Sequence, residues 1–128
     1  MGTYTELHFN SRLKKDLPEN VVETLQYMIG QKTKPENLPE HELFECARWL
    51  LLFTCDSYYF DADTYSTLRF DRIADRYYLC IRSNVKNYDN EIEKFIDWIM
   101  PYLEKDEGNF LGFYRYEETE HPTLIYAK

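Results

Sequence analysis

The sequence predicts an α+β fold, a two-layer sandwich of a mainly antiparallel sheet with helices packed on one face. Three patterns carry that expectation. Apolar and polar residues alternate strictly near the N-terminus, as in a half-buried strand. Two stretches, residues 21–29 and 92–103, repeat apolar side chains at helical spacing. Two further regions, residues 67–83 and 110–127, are β-rich and each is broken by a short polar turn.

In the first strand Thr5, Leu7, Phe9, Ser11 and Leu13 fall on one side, and Tyr4, Glu6, His8, Asn10 and Arg12 on the other. One face should be dry and the other wet. Asp16-Leu17-Pro18-Glu19 then has the spacing of a capping box with an early proline. Val21, Val22, Leu25, Met28 and Ile29 follow at helical period up to Gly30, which suits a left-handed stop. Residues 31–39 contain Pro35 and Pro39 and read as a loop inside one domain.

Residues 41–53 are expected to form a helix that frays near Thr54, although the run at 49–53 also suits a buried strand. Residues 57–60 are a short aromatic strand candidate. Residues 67–73 and 77–83 flank Ala74-Asp75-Arg76 as a hairpin turn, with Asp71 and Asp75 interleaved among Arg69, Arg72 and Arg76 as cross-strand pairs. Asn87-Tyr88-Asp89-Asn90 offers an N-cap. Ile92, Phe95, Ile96, Ile99, Met100 and Leu103 form the clearest amphipathic stripe, which Pro101 should kink or end. Gly108 releases the chain into strands at 110–117 and 123–127, joined by an acidic turn containing Pro122. A ferredoxin-like arrangement is one option for this order of elements.

A length of 128 residues suits a single domain over 1–128. With 23 acidic and 15 basic residues the net charge is −8. Such a surface repels phosphate, so direct nucleic-acid binding and anionic-membrane binding are not expected. Cys46, Cys55 and Cys80 are odd in number and match no zinc or redox spacing, so they read as free thiols of a reducing cytosol. Residues 4–15 alternate rather than form an apolar run, which argues against a signal peptide, and the longest apolar stretch is too short to span a bilayer. A cytoplasmic protein is expected.

Catalytic patterns are sparse. Only four glycines occur, with no G-x-S-x-G and no P-loop. His8, His41 and His121 lie in three different elements. His41 and Glu45 have metal-ligand spacing without an evident third ligand. Asp61-Ala62-Asp63 could hold a divalent cation but reads better as a solvated turn. No cofactor and no metal are expected, and a small metal- or ligand-dependent enzyme using Asp61, Asp63 and His8 or His41 is an alternative.

Binding is favoured over catalysis. The chain has 12 Tyr, and a tyrosine ring with its polar tip suits half-buried sheets and interfaces. Tyr58, Tyr59 and Phe60 are the expected contact residues for a protein partner or for self-association. The aromatic strand at 110–116 has the look of an RNA-binding sheet, but Glu117, Glu118 and Glu120 follow it, and a structural strand is the better reading. A second alternative is a nucleic-acid mimic that inhibits a host or immune enzyme. Seven acids against two bases lie between Asp89 and Glu107. Asp89, Glu93, Asp97 and Glu104 would line one helix side, with Glu93 and Asp97 as its contact residues.

Three stretches taken together carry a resemblance: Tyr4-Thr5-Glu6-Leu7-His8-Phe9-Asn10, Ser83-Asn84-Val85-Lys86-Asn87-Tyr88-Asp89-Asn90-Glu91-Ile92-Glu93, and Pro122-Thr123-Leu124-Ile125-Tyr126. The combination resembles small uncharacterised proteins encoded by bacterial phages and prophages. The resemblance implies a bacterial cytoplasm during phage or prophage expression and an accessory protein acting by binding. It carries no catalytic residue across.

Overall fold

Strand β1 (Thr5–Arg12) lies in the middle of a five-stranded antiparallel sheet, and the computed structural model describes residues 3–57, 60 and 63–128. The chain continues with helix α1 (Glu19–Ile29), strands β2 (Thr67–Asp71) and β3 (Arg76–Val85), helix α2 (Glu91–Ile99), and strands β4 (Phe110–Tyr116) and β5 (Thr123–Tyr126). The strands are ordered β2-β3-β1-β4-β5. The first six elements therefore run β-α-β-β-α-β with the strand order of a split β-α-β unit, and β5 extends that sheet beyond β4.

The alternation of β1 sets the sidedness. Leu7, Phe9 and Leu13 are fully buried and Thr5 and Ser11 nearly so. Register places Leu7 beside Ser83 and Tyr114, and Phe9 beside Ile81 and Gly112, so these residues share a first face. Phe9 meets Phe95 of α2 edge-on at 5.4 Å, and Phe53 meets the same ring from another side at 5.4 Å. Val21, Leu25 and Met28 of α1 join the same cluster. Each such fully buried side chain contributes about 1.5–3 kcal/mol.

Helix α1 starts with Pro18 in the N-cap place and without a side-chain cap, so the expected capping box from Asp16 is not made. It ends as expected. Gly30 is left-handed at φ 91°, and its N–H and that of Gln31 return to the carbonyls of Tyr27 and Gln26. Helix α2 buries Ile92, Phe95, Trp98 and Ile99, then tightens into a 3₁₀ turn at Met100–Tyr102 where Pro101 ends it.

Residues 41–53 do not form the expected helix. They make two 3₁₀ turns, Glu42–Glu45 and Trp49–Leu51, separated by Cys46 in extended conformation. The His41 ring caps the first turn by accepting from the Leu43 N–H at 3.0 Å. Leu43, Trp49, Leu52 and Phe53 are all buried, a density of apolar side chains that suits a collapsed segment filling the core better than a one-striped helix. The buried Ser83 hydroxyl donates to the Leu52 carbonyl at 2.5 Å and ties this segment to β3. The candidate strand at 57–60 lies partly outside the described residues, and its described members Ser57 and Phe60 are not in a strand.

The β2–β3 turn spans residues 72–75 instead of the expected 74–76. Asp71 accepts from the N–H groups of Ile73 and Ala74, and Asp75 takes a left-handed φ of 57°. The acid therefore serves the turn backbone rather than an arginine.

Gly112 is the tightest point of the sheet. Its φ is 153°, and a Cβ there would fall inside the His8 carbonyl. Gly112→Ala is expected to force β4 away from β1 and to cost about 3 kcal/mol or prevent folding. Urea unfolding monitored by circular dichroism checks this, and a variant of wild-type stability would refute the close approach.

Candidate functional site

The second side of the sheet carries Glu6, His8, Asn10 and Arg12 from β1, Tyr78, Cys80, Arg82 and Asn84 from β3, Arg69 from β2 and Phe113 and Arg115 from β4, by register. Glu6 departs from the expected wet face, being only 8% exposed. Its carboxylate takes the Arg115 guanidinium at 3.4 Å and the His8 ring at 3.2 Å. His8 in turn stacks on Phe113, with ring centres 4.6 Å apart and planes 13° from parallel.

One end of this side is covered by Cys55, Phe60 and residues 63–65. The Cys55 carbonyl accepts from the Asn84 N–H, Tyr65 N–H donates to the Arg82 carbonyl, and Arg82 Nε donates to the Asp63 carbonyl. From there Phe60 reaches the guanidinium of Arg115, 5.1 Å from the ring centre. Phe60 is thus a buried contact of the sheet. Tyr58 and Tyr59 lie outside the described residues, as does Asp61.

At the other end the side is apolar. Phe110 packs edge-on against Tyr126 at 5.8 Å, and Leu124 stands opposite Phe113. Phe110 is 56% exposed, Leu124 48% and Tyr126 47%. Composition could not reveal this strip, because the bulge between Phe110 and Gly112 changes which residues of β4 share a side.

A concave feature that includes a sequence-predicted residue lies at the start of α2. Glu93, Lys86, Tyr88, Tyr114, Tyr116 and His121 border a cleft of about 500 Å³. The loop leading into it holds Asn87 at φ 47° and Asn90 at φ 58°, a conformation asparagine tolerates better than most residues. Asn87 bridges the turn, its Oδ1 accepting from the Ile92 N–H at 2.8 Å and its Nδ2 donating to Glu93 at 3.0 Å. Asp97 pairs with the His41 ring at 2.7 Å. Asp89 and Glu104 lie outside α2, so the helix carries only part of the expected acidic row.

Burial pushes the Cys55 thiol up from its ordinary value, outweighing its hydrogen bond to the Asp56 backbone and the opposing charges of Lys86 and Arg48, which leaves it a poor nucleophile. Among the described residues no group of three histidine, cysteine or carboxylate side chains could hold a metal ion. Nor, among them, is any helix long and apolar enough to cross a membrane. Comparison with family models, curated proteins and solved structures found no match.

Burial raises the Tyr114 phenol above its ordinary value, the Glu93 charge raises it further, and a hydrogen bond with Thr123 opposes both. Because the folded value is the higher one, the stability this group contributes is complete below about pH 10 and is lost as pH rises through the folded value. Glu93→Gln is expected to move the Tyr114 titration downward in an ultraviolet or NMR phenol titration. An unchanged titration would show that the carboxylate does not act on this ring.

Proposed function

We propose that the protein is a non-catalytic binding protein that associates with a second copy of itself through the outer edge of β5 and the apolar strip beside it. In this reading both helices pack on the first face of the sheet as a two-layer sandwich, and the second face is left for recognition. The resemblance to phage and prophage proteins supports a bacterial cytoplasmic setting and an accessory role.

The contrast between the two sheet edges carries the reading. The β2 edge includes Arg69 and Asp71 and runs into Arg72, and such charges blunt an edge against strand addition. The β5 edge, Thr123–Tyr126, has no charged residue and presents Leu124 and Tyr126 half exposed. Antiparallel pairing of two β5 edges about a two-fold axis would satisfy the same backbone groups in both copies. It would also bring Phe110, Leu124 and Tyr126 of each copy together. A strip of this size offsets only part of the roughly 4–15 kcal/mol cost of association, so a weak, reversible dimer follows.

Sedimentation velocity from about 1 to 200 μM should reveal the dimer, and Leu124→Lys should abolish it with an unchanged far-ultraviolet spectrum. A wild-type chain that stays monomeric throughout would overturn self-association. Capture of a different protein whose binding Leu124→Lys also removes would keep the edge and replace its occupant.

A further inference from the structure

We infer that the β2–β3–β1 part of the second face binds single-stranded nucleic acid. This rests on the reading that the second face is open, but it uses different residues from the β5 edge.

The charge of the strands is opposite to that of the chain. All five arginines in strands, Arg12, Arg69, Arg76, Arg82 and Arg115, fall on this one side by register, in a protein whose net charge is −8. The two acids of the strands, Glu6 and Asp71, fall there too, and both are engaged. Glu6 holds Arg115 and His8, and Asp71 accepts from its own turn. Among the described residues Arg12, Arg69, Arg76 and Arg82 have no carboxylate partner within ion-pair distance; Arg12 and Arg69 are exposed, while Arg76 and Arg82 each donate Nε to a backbone carbonyl. A guanidinium without a carboxylate is a ready donor for phosphate.

Rings are interleaved with these cations. Tyr78 lies between Arg69 of β2 and Arg12 of β1 in a row across three strands, with Arg69 5.0 Å from its ring centre. The His8–Phe113 stack stands in the row that contains Arg82. Neighbouring strands are about 4.8 Å apart, so rings and guanidinium groups alternate at a spacing that unpaired bases and their phosphates can follow. Bases stack on such rings only when they are unpaired, which selects single strands over duplexes. An acidic peptide would use the arginines and leave the rings idle. The acidic remainder of the surface repels polyanions elsewhere and confines contact to this patch.

The test is fluorescence anisotropy of the full chain with labelled oligothymidylate and oligouridylate of about 20 nucleotides at low salt, with a salt series. Saturable binding is expected, with a log–log salt slope of about −2 for roughly three phosphate contacts. Arg12→Ala and Arg69→Ala, both at exposed positions, should each weaken binding severalfold, and Tyr78→Leu should weaken it at unchanged salt slope. Leu124→Lys should leave it intact, which separates this site from the β5 edge. Absence of saturable binding by a folded chain would overturn the inference. So would indifference to Arg12→Ala and Arg69→Ala, or displacement of the oligonucleotide by polyglutamate as readily as by unlabelled strand.

Discussion

Strand β1 is hydrogen-bonded along both edges, to β3 and to β4, and its pleat decides which residues of three strands share each side. A slip of one residue would exchange Leu7 and Phe9 for Glu6 and His8 and turn the buried set outward. Two devices hold the register. Gly112 admits the His8 carbonyl where any side chain would collide with it. Phe9 inserts its ring against Phe95 beneath the same point. Helix α2 and strand β4 are thus referred to a single position on β1.

The collapsed segment at 41–53 is the second consequence of that core. It carries His41, Glu42, Glu45 and Arg48 among its apolar residues, and Leu50 and Leu51 remain exposed. Two 3₁₀ turns with an extended break let Leu43, Trp49, Leu52 and Phe53 all point inward. The Ser83 hydroxyl then donates to the Leu52 carbonyl. On the buried side of β3 Ser83 stands between Ile81 and Val85, and that contact satisfies its hydroxyl.

On the second side of the sheet, regions of different character follow one another along the strands. Glu6 draws Arg115 and His8 together, Phe60 closes over that cluster, and Phe113 extends it toward the apolar residues of β4 and β5. Arg12, Arg69 and Arg76, which have no carboxylate partner among the described residues, lie at the opposite end. One sheet side therefore presents an ionic, covered region, a cationic aromatic region and an apolar edge.

The sequence by itself determined the α+β class, the sidedness of β1, the left-handed stop at Gly30 and the end of α2 at Pro101, because each follows from local period or from one residue's backbone limits. It also held Glu93 and Asp97 on a helix and Phe60 among aromatics. Tertiary structure alone decided the order β2-β3-β1-β4-β5, the burial of Glu6 and Phe60, the partners of Glu93 and Asp97, and the gathering of five arginines on one side. Those depend on pairing between residues as many as 111 positions apart, such as Thr5 with Tyr116, a separation no local pattern encodes. Charge read along the chain counts every residue alike. Charge read across a sheet counts only those the pleat turns the same way.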